Sequence, residues 1–87
     1  MASYDLLIKR SAAKELEALP PKDRRRIATR IQTLANDPRP PGAEKLSGDD
    51  KYRVRQGDYR VLYQIDDQAK AVTVVKIGHR SDVYRTP

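Results

Sequence analysis

Two residues, Gly57 and Asp58, constrain this chain more than any others. They lie between two runs rich in Val, Tyr and Ile, 51–56 and 59–65, and a two-residue loop of this composition predicts a hairpin with a type I′ or II′ turn. Such a loop fixes the register. Gln56 faces Tyr59, Arg55 faces Arg60, Val54 faces Val61, Arg53 faces Leu62 and Tyr52 faces Tyr63. Opposed residues share a face and successive residues alternate, so the hairpin sorts into two surfaces. Tyr52, Val54, Tyr59, Val61, Tyr63 and Ile65 make a core face, and Lys51, Arg53, Arg55, Arg60, Leu62 and Gln64 make a cationic one.

The cationic face has a cost. Arg55 opposite Arg60 is a like-charge pair, which destabilises a sheet by up to about 1 kcal/mol. One reading is a solvated outer surface that guards the sheet against aggregation. A surface built to bind an anion explains the pattern better, the partner supplying charges that the protein omits. The chain has 18 Lys and Arg against 12 Asp and Glu, a formal +6 over 87 residues. A basic domain of that size is suited to polyanions, with nucleic acid first and an acidic protein second.

Residues 1–87 have room for one small core and no deep enclosed pocket, so a single domain is expected. Cysteine is absent, which excludes disulfides, thiolate chemistry and zinc–thiolate sites. One histidine among scattered carboxylates gives no metal centre, and no cofactor is expected. No run approaches the roughly 20 apolar residues of a membrane span, and no signal pattern opens the chain. The expectation is a soluble cytoplasmic protein.

Along the chain, 4–9 alternates as a strand. Ser11 is placed as an N-cap for a short helix carrying Ala12, Ala13, Leu16 and Leu19, ended by Pro20 and Pro21. Pro21 opens a second helix, to about residue 36, with Ile27, Ala28, Ile31, Leu34 and Ala35 on its apolar stripe. Arg24, Arg25 and Arg26 point in directions about 100° apart, so this run reads as a solvated helix face. The 37–42 segment, DPRPPG, is a connector. Residues 71–77 are apolar on both parities, as in an interior strand covered on much of both faces. The order strand, helix, helix, strand, strand, strand predicts an α+β fold of two layers, with a mainly antiparallel sheet and both helices on one face.

Gly78, His79, Arg80 and Tyr84 follow the last strand, and their position there puts His79, Arg80 and Tyr84 beside Arg53, Arg55 and Arg60. Together they offer guanidinium forks for phosphate, an imidazole that titrates near neutrality, and a phenol able to stack on a base or move a proton. That set suits RNA cleavage in which the 2′-hydroxyl attacks the adjacent phosphorus while the protein neutralises charge and protonates the leaving oxygen. The structural alternatives are a histidine that merely ends a strand and a tyrosine that anchors the C-terminus. Tyr52, Tyr59 and Tyr63 are read as core.

The motifs KLSG, YRVR ahead of GDYRVLYQI, and GHRSDVYR make the chain resemble the RelE/ParE superfamily of toxins from toxin–antitoxin systems, nearest its RelE branch. The resemblance covers nearly the whole chain. It implies a RelE-like fold and a toxin that cleaves mRNA in the ribosomal A site, so the ribosome and mRNA are its expected partners. It also implies a cognate acidic antitoxin, with the free toxin a monomer and a larger complex formed with the antitoxin. By motif the catalytic set is Arg53, Arg55, Arg60, Arg80 and Tyr84, and the RNA-contacting set is Lys45, Lys51, Arg53, Arg55, Arg60 and Arg80. The family pattern has lysines where this chain has Arg53 and Arg55, and an arginine is a poor general base. His79 is the substitute base by this reading. A ParE-like inhibitor of DNA gyrase and a non-catalytic nucleic-acid-binding module remain as alternatives.

Overall fold

The computed structural model describes residues 3–46 and 51–81. Seven elements follow one another: β1 (Asp5–Ile8), α1 (Arg10–Glu17), α2 (Pro21–Leu34), β2 (Glu44–Lys45), β3 (Lys51–Gln56), β4 (Tyr59–Asp66) and β5 (Ala71–His79). The strands form one sheet in the order β1-β5-β4-β3-β2, antiparallel except for the parallel β1–β5 pair. Both helices pack on one face, as expected, and β2 is an additional short strand.

The hairpin register is the expected one, from Gln56 opposite Tyr59 to Lys51 opposite Gln64. Gly57 has φ +61 and Asp58 is not left-handed, which selects the II′ form of the turn. Val54, Val61, Tyr63 and Ile65 are buried. They meet Ile27, Ile31 and Leu34 of α2, Ala12 of α1, and Val72, Val74 and Ile77 of β5.

Two local expectations are corrected. Ser11 is not the N-cap, because α1 begins at Arg10 with extended Lys9 before it. The Lys9 N–H is bonded to Val74 O at 2.9 Å, so the β1–β5 ladder sets the exit of the chain into the helix. The second correction concerns β5. Leu62 pairs with Lys76 and Tyr63 with Val74, so Val75 is an extra, bulged residue. Parity reverses there, and Val72, Val74 and Ile77 all turn toward the helices. The bulge, and not burial on two faces, accounts for apolar residues on both parities.

β5 also outruns β1, whose last pair is Ile8 with Val74. Beyond it the Ile77 N–H is bonded to Glu15 Oε1 of α1 at 2.9 Å. The proline connector is held by the buried Tyr63 hydroxyl, which donates to Pro38 O at 2.6 Å. Arg39 pairs with Asp67 at 2.9 Å and donates to the Tyr52 hydroxyl. Tyr4 donates to the same Asp67, whose carboxyl is held below its usual range first by Arg39 and then by Tyr4.

Candidate functional site

The outer face of the sheet, away from the helices, is built by alternation. β3 contributes Lys51, Arg53 and Arg55, and β4 contributes Arg60, Leu62 and Gln64 opposite them. After the bulge, β5 contributes Lys76 beside Leu62 and Gly78 beside Arg60. Lys76 is a cation that unbroken alternation assigns to the core side. Gly78 places no side chain beside Arg60.

Glu44 resolves part of the electrostatic cost. β2 pairs Glu44 with Arg53, and its carboxylate lies 2.7 Å from Arg53 Nη2 and 3.7 Å from Arg55 Nη2. Arg60 turns instead to backbone carbonyls, donating to Gly57 O at 3.2 Å and Tyr59 O at 3.0 Å. The opposed arginines are thus drawn to different partners. The hydrogen bond from Arg53, with the charges of Arg53, Arg55 and Arg60, holds the Glu44 carboxyl below its usual range. Glu44 is therefore ionised at neutral pH and half exposed, in contact with two cations of the outer face. A two-residue strand is too short to show periodicity, and nothing in the sequence marked it.

The remaining expected residues divide. Arg80 is at the hairpin end of the sheet, its N–H bonded to Asp58 O at 2.8 Å, which is the end that carries Arg55 and Arg60. Lys51 lies on the outer face at the opposite end, facing Gln64. Lys45 pairs with Tyr52 and so shares the helix-side face, apart from the arginines. His79 also differs from expectation. The bulge sets it opposite Tyr59, with the two rings edge to face at 5.8 Å on the helix side. Its Nδ1 accepts the Ser81 N–H at 3.2 Å, so the ring is occupied locally and is not among Arg53, Arg55 and Arg60. Tyr84 lies outside the described residues.

Tyr63 is buried in the core and Tyr52 and Tyr59 are partly buried against it, on the face expected. Burial pushes the Tyr63 phenol up to about 12. Tyr59 is also raised, first by burial and then by Asp23 of α2. Tyr52 stacks on Tyr63 with ring centres 5.9 Å apart. Among the described residues, no helix is long and apolar enough to cross a membrane.

Known proteins place this arrangement in context. The pattern of the family described as "ParE toxin of type II toxin-antitoxin system, parDE" matches residues 6–84. Toxin RelG of Mycobacterium tuberculosis is 32% identical over 89 residues, covering 94% of this chain and 97% of the relative. Toxin RelE of the same organism is 35% identical over 86 residues, covering 94% and 87%. The archaeal RelE–RelB complex from Pyrococcus horikoshii contains a chain that superposes with a TM-score of 0.78 at 30% identity, covering 93% of this chain and 99% of that one.

Proposed function

We propose that this chain, which belongs to the RelE/ParE toxin superfamily of type II toxin–antitoxin systems and to its RelE branch, cleaves mRNA in the ribosomal A site. One observation carries the reading: Arg53, Arg55 and Arg60 share a sheet face on which an ionised carboxylate, Glu44, is held between two of them. RNA supplies the nucleophile. Its 2′-hydroxyl oxygen bonds to the adjacent phosphorus, the bond to the 5′ oxygen breaks, and a cyclic phosphate and a 5′-hydroxyl result.

The side chains divide the remaining work. Arg53, Arg55, Arg60 and Arg80, joined by Lys76, neutralise the charge that grows on the phosphoryl oxygens. Arginine does not take the 2′-hydroxyl proton, and His79 is on the other face, so the proton passes to the Glu44 carboxylate. Tyr84, matched by the family motif, protonates the leaving oxygen. Relatives such as the archaeal RelE are seen bound to RelB. By analogy a cognate acidic antitoxin restrains this toxin in the cytoplasm.

The test is cleavage mapping on translating ribosomes with purified protein. Cuts at A-site codons are expected, and translation proceeding with intact mRNA would sink the reading. Glu44→Gln should lower single-turnover cleavage by about 10²- to 10⁴-fold, the usual worth of a general base. Activity of the parent should fall with acid only below the ordinary carboxylate range, since Glu44 must be ionised and its neighbours depress its pKa. A supercoiling assay with gyrase on the same preparation reads the alternative.

A further inference from the structure

A second cationic surface lies on the helix layer, across the molecule from the outer sheet face. Along α2, Lys22, Arg25, Arg26, Thr29, Arg30 and Thr33 recur at helical spacing and line a groove of about 660 Å³, bounded at the end of β3 by Gln56. Ile27, Ile31 and Leu34 occupy the buried side of the same helix. Arg24, Arg25 and Arg26 taken together diverge, as the sequence indicates. The stripe forms because Arg24 drops out, donating to Glu17 O, while Lys22 and Arg30 join Arg25 and Arg26.

The groove lacks its counter-charge. No carboxylate lines it, and among the described residues Lys22, Arg25, Arg26 and Arg30 form no ion pair. The Arg30 Nε is buried without a hydrogen-bond partner, a deficit that folded proteins ordinarily fill from a neighbour, water or a ligand. The threonine hydroxyls are already engaged, Thr29 with Arg25 O at 3.0 Å and Thr33 with Arg30 O at 2.7 Å. The donors on offer are the cationic heads and the Gln56 amide.

We propose that this groove binds the phosphate backbone of double-helical RNA. A docked peptide is usually anchored by a large apolar or aromatic side chain in a matching pocket, and no Leu, Ile, Val, Met or aromatic residue lines this groove. The absence of an aromatic lining also disfavours single strands, whose bases seek stacking platforms. Phosphate contacts need neither. From Lys22 to Arg30 the helix rises about 12 Å, enough to pass about three phosphates of one strand.

The experiment measures anisotropy of a labelled RNA hairpin with the full chain over a series of KCl concentrations. Arg25→Gln/Arg26→Gln should weaken binding to hairpins of unrelated sequence alike and reduce the slope of log K against log salt by about 1 to 2. Arg24→Gln, outside the groove, should leave both unchanged, and thermal melts of all variants check the fold. A double variant that binds hairpins with parent affinity and slope overturns the proposal. So does one that keeps RNA binding but loses binding to a poly-glutamate peptide, which would assign the groove to an acidic protein. Hairpin binding that depends on Arg25 and Arg26, without cleavage on ribosomes, would refute the cleavage reading and leave this one standing.

Discussion

Tyr63→Phe removes one buried hydroxyl and keeps the ring that stacks on Tyr52. Two effects follow. Tyr63 is fully buried and its hydroxyl donates to Pro38 O at 2.6 Å, so the variant leaves a carbonyl without its partner. That should cost about 1–3 kcal/mol at pH 7. The second effect depends on pH. The phenol titrates near 10 when unfolded and is raised to about 12 when folded. A group whose folded pKa is raised stabilises fully below its unfolded value and loses that contribution as pH rises through the folded one. At pH 11 the unfolded phenol is largely ionised and the folded one is not, which removes about 1.4 kcal/mol from the parent, half of the roughly 2.7 that two units represent. Phenylalanine has no such loss. Urea unfolding of parent and variant at pH 7 and pH 11 should therefore show the gap between them narrowing by about 1.4 kcal/mol. A gap that stays constant or widens would mean that the phenol is not held neutral in the core, and the account of the pinned connector would fall with it.

Arg60→Ala and Arg80→Ala should abolish toxicity in growing cells while the purified proteins keep the parent's melting curve; full toxicity of Arg60→Ala would show that the proposed site is misplaced. Gly57→Ala should cost about 1–2 kcal/mol in a urea titration. An added Cβ there meets nothing within 4 Å, so the whole loss would come from φ +61, and D-alanine at the same position, which takes positive φ without strain, should recover most of it. Glu15→Ala strips the acceptor from the Ile77 N–H and should cost about 1–3 kcal/mol, with most of the loss recovered by Gln, which keeps an oxygen in place. Equal losses for Ala and Gln would show that this contact contributes nothing.

What the sequence determined by itself was local. A two-residue turn leaves one register, so the pairs from Gln56–Tyr59 to Tyr52–Tyr63 and the sorting of the hairpin into core and cationic faces follow from the order of the amino acids alone. The apolar stripe of α2 and its start at Pro21 were legible for the same reason, because helix period and proline chemistry act within a few residues. Tertiary pairing decided the rest. The bulge at Val75 arises only when β5 is laid against β4, and that one residue reverses parity, brings Lys76 to the cationic face and sends His79 to Tyr59. Glu44 reaches Arg53 through a strand of two residues, too short to carry a pattern, formed only against the edge of β3. The groove of α2 likewise needs Gln56, distant in sequence, at its boundary. Alternation and turn chemistry are set by neighbouring residues, whereas a bulge, an edge pairing or a groove depends on a partner strand that local sequence does not specify.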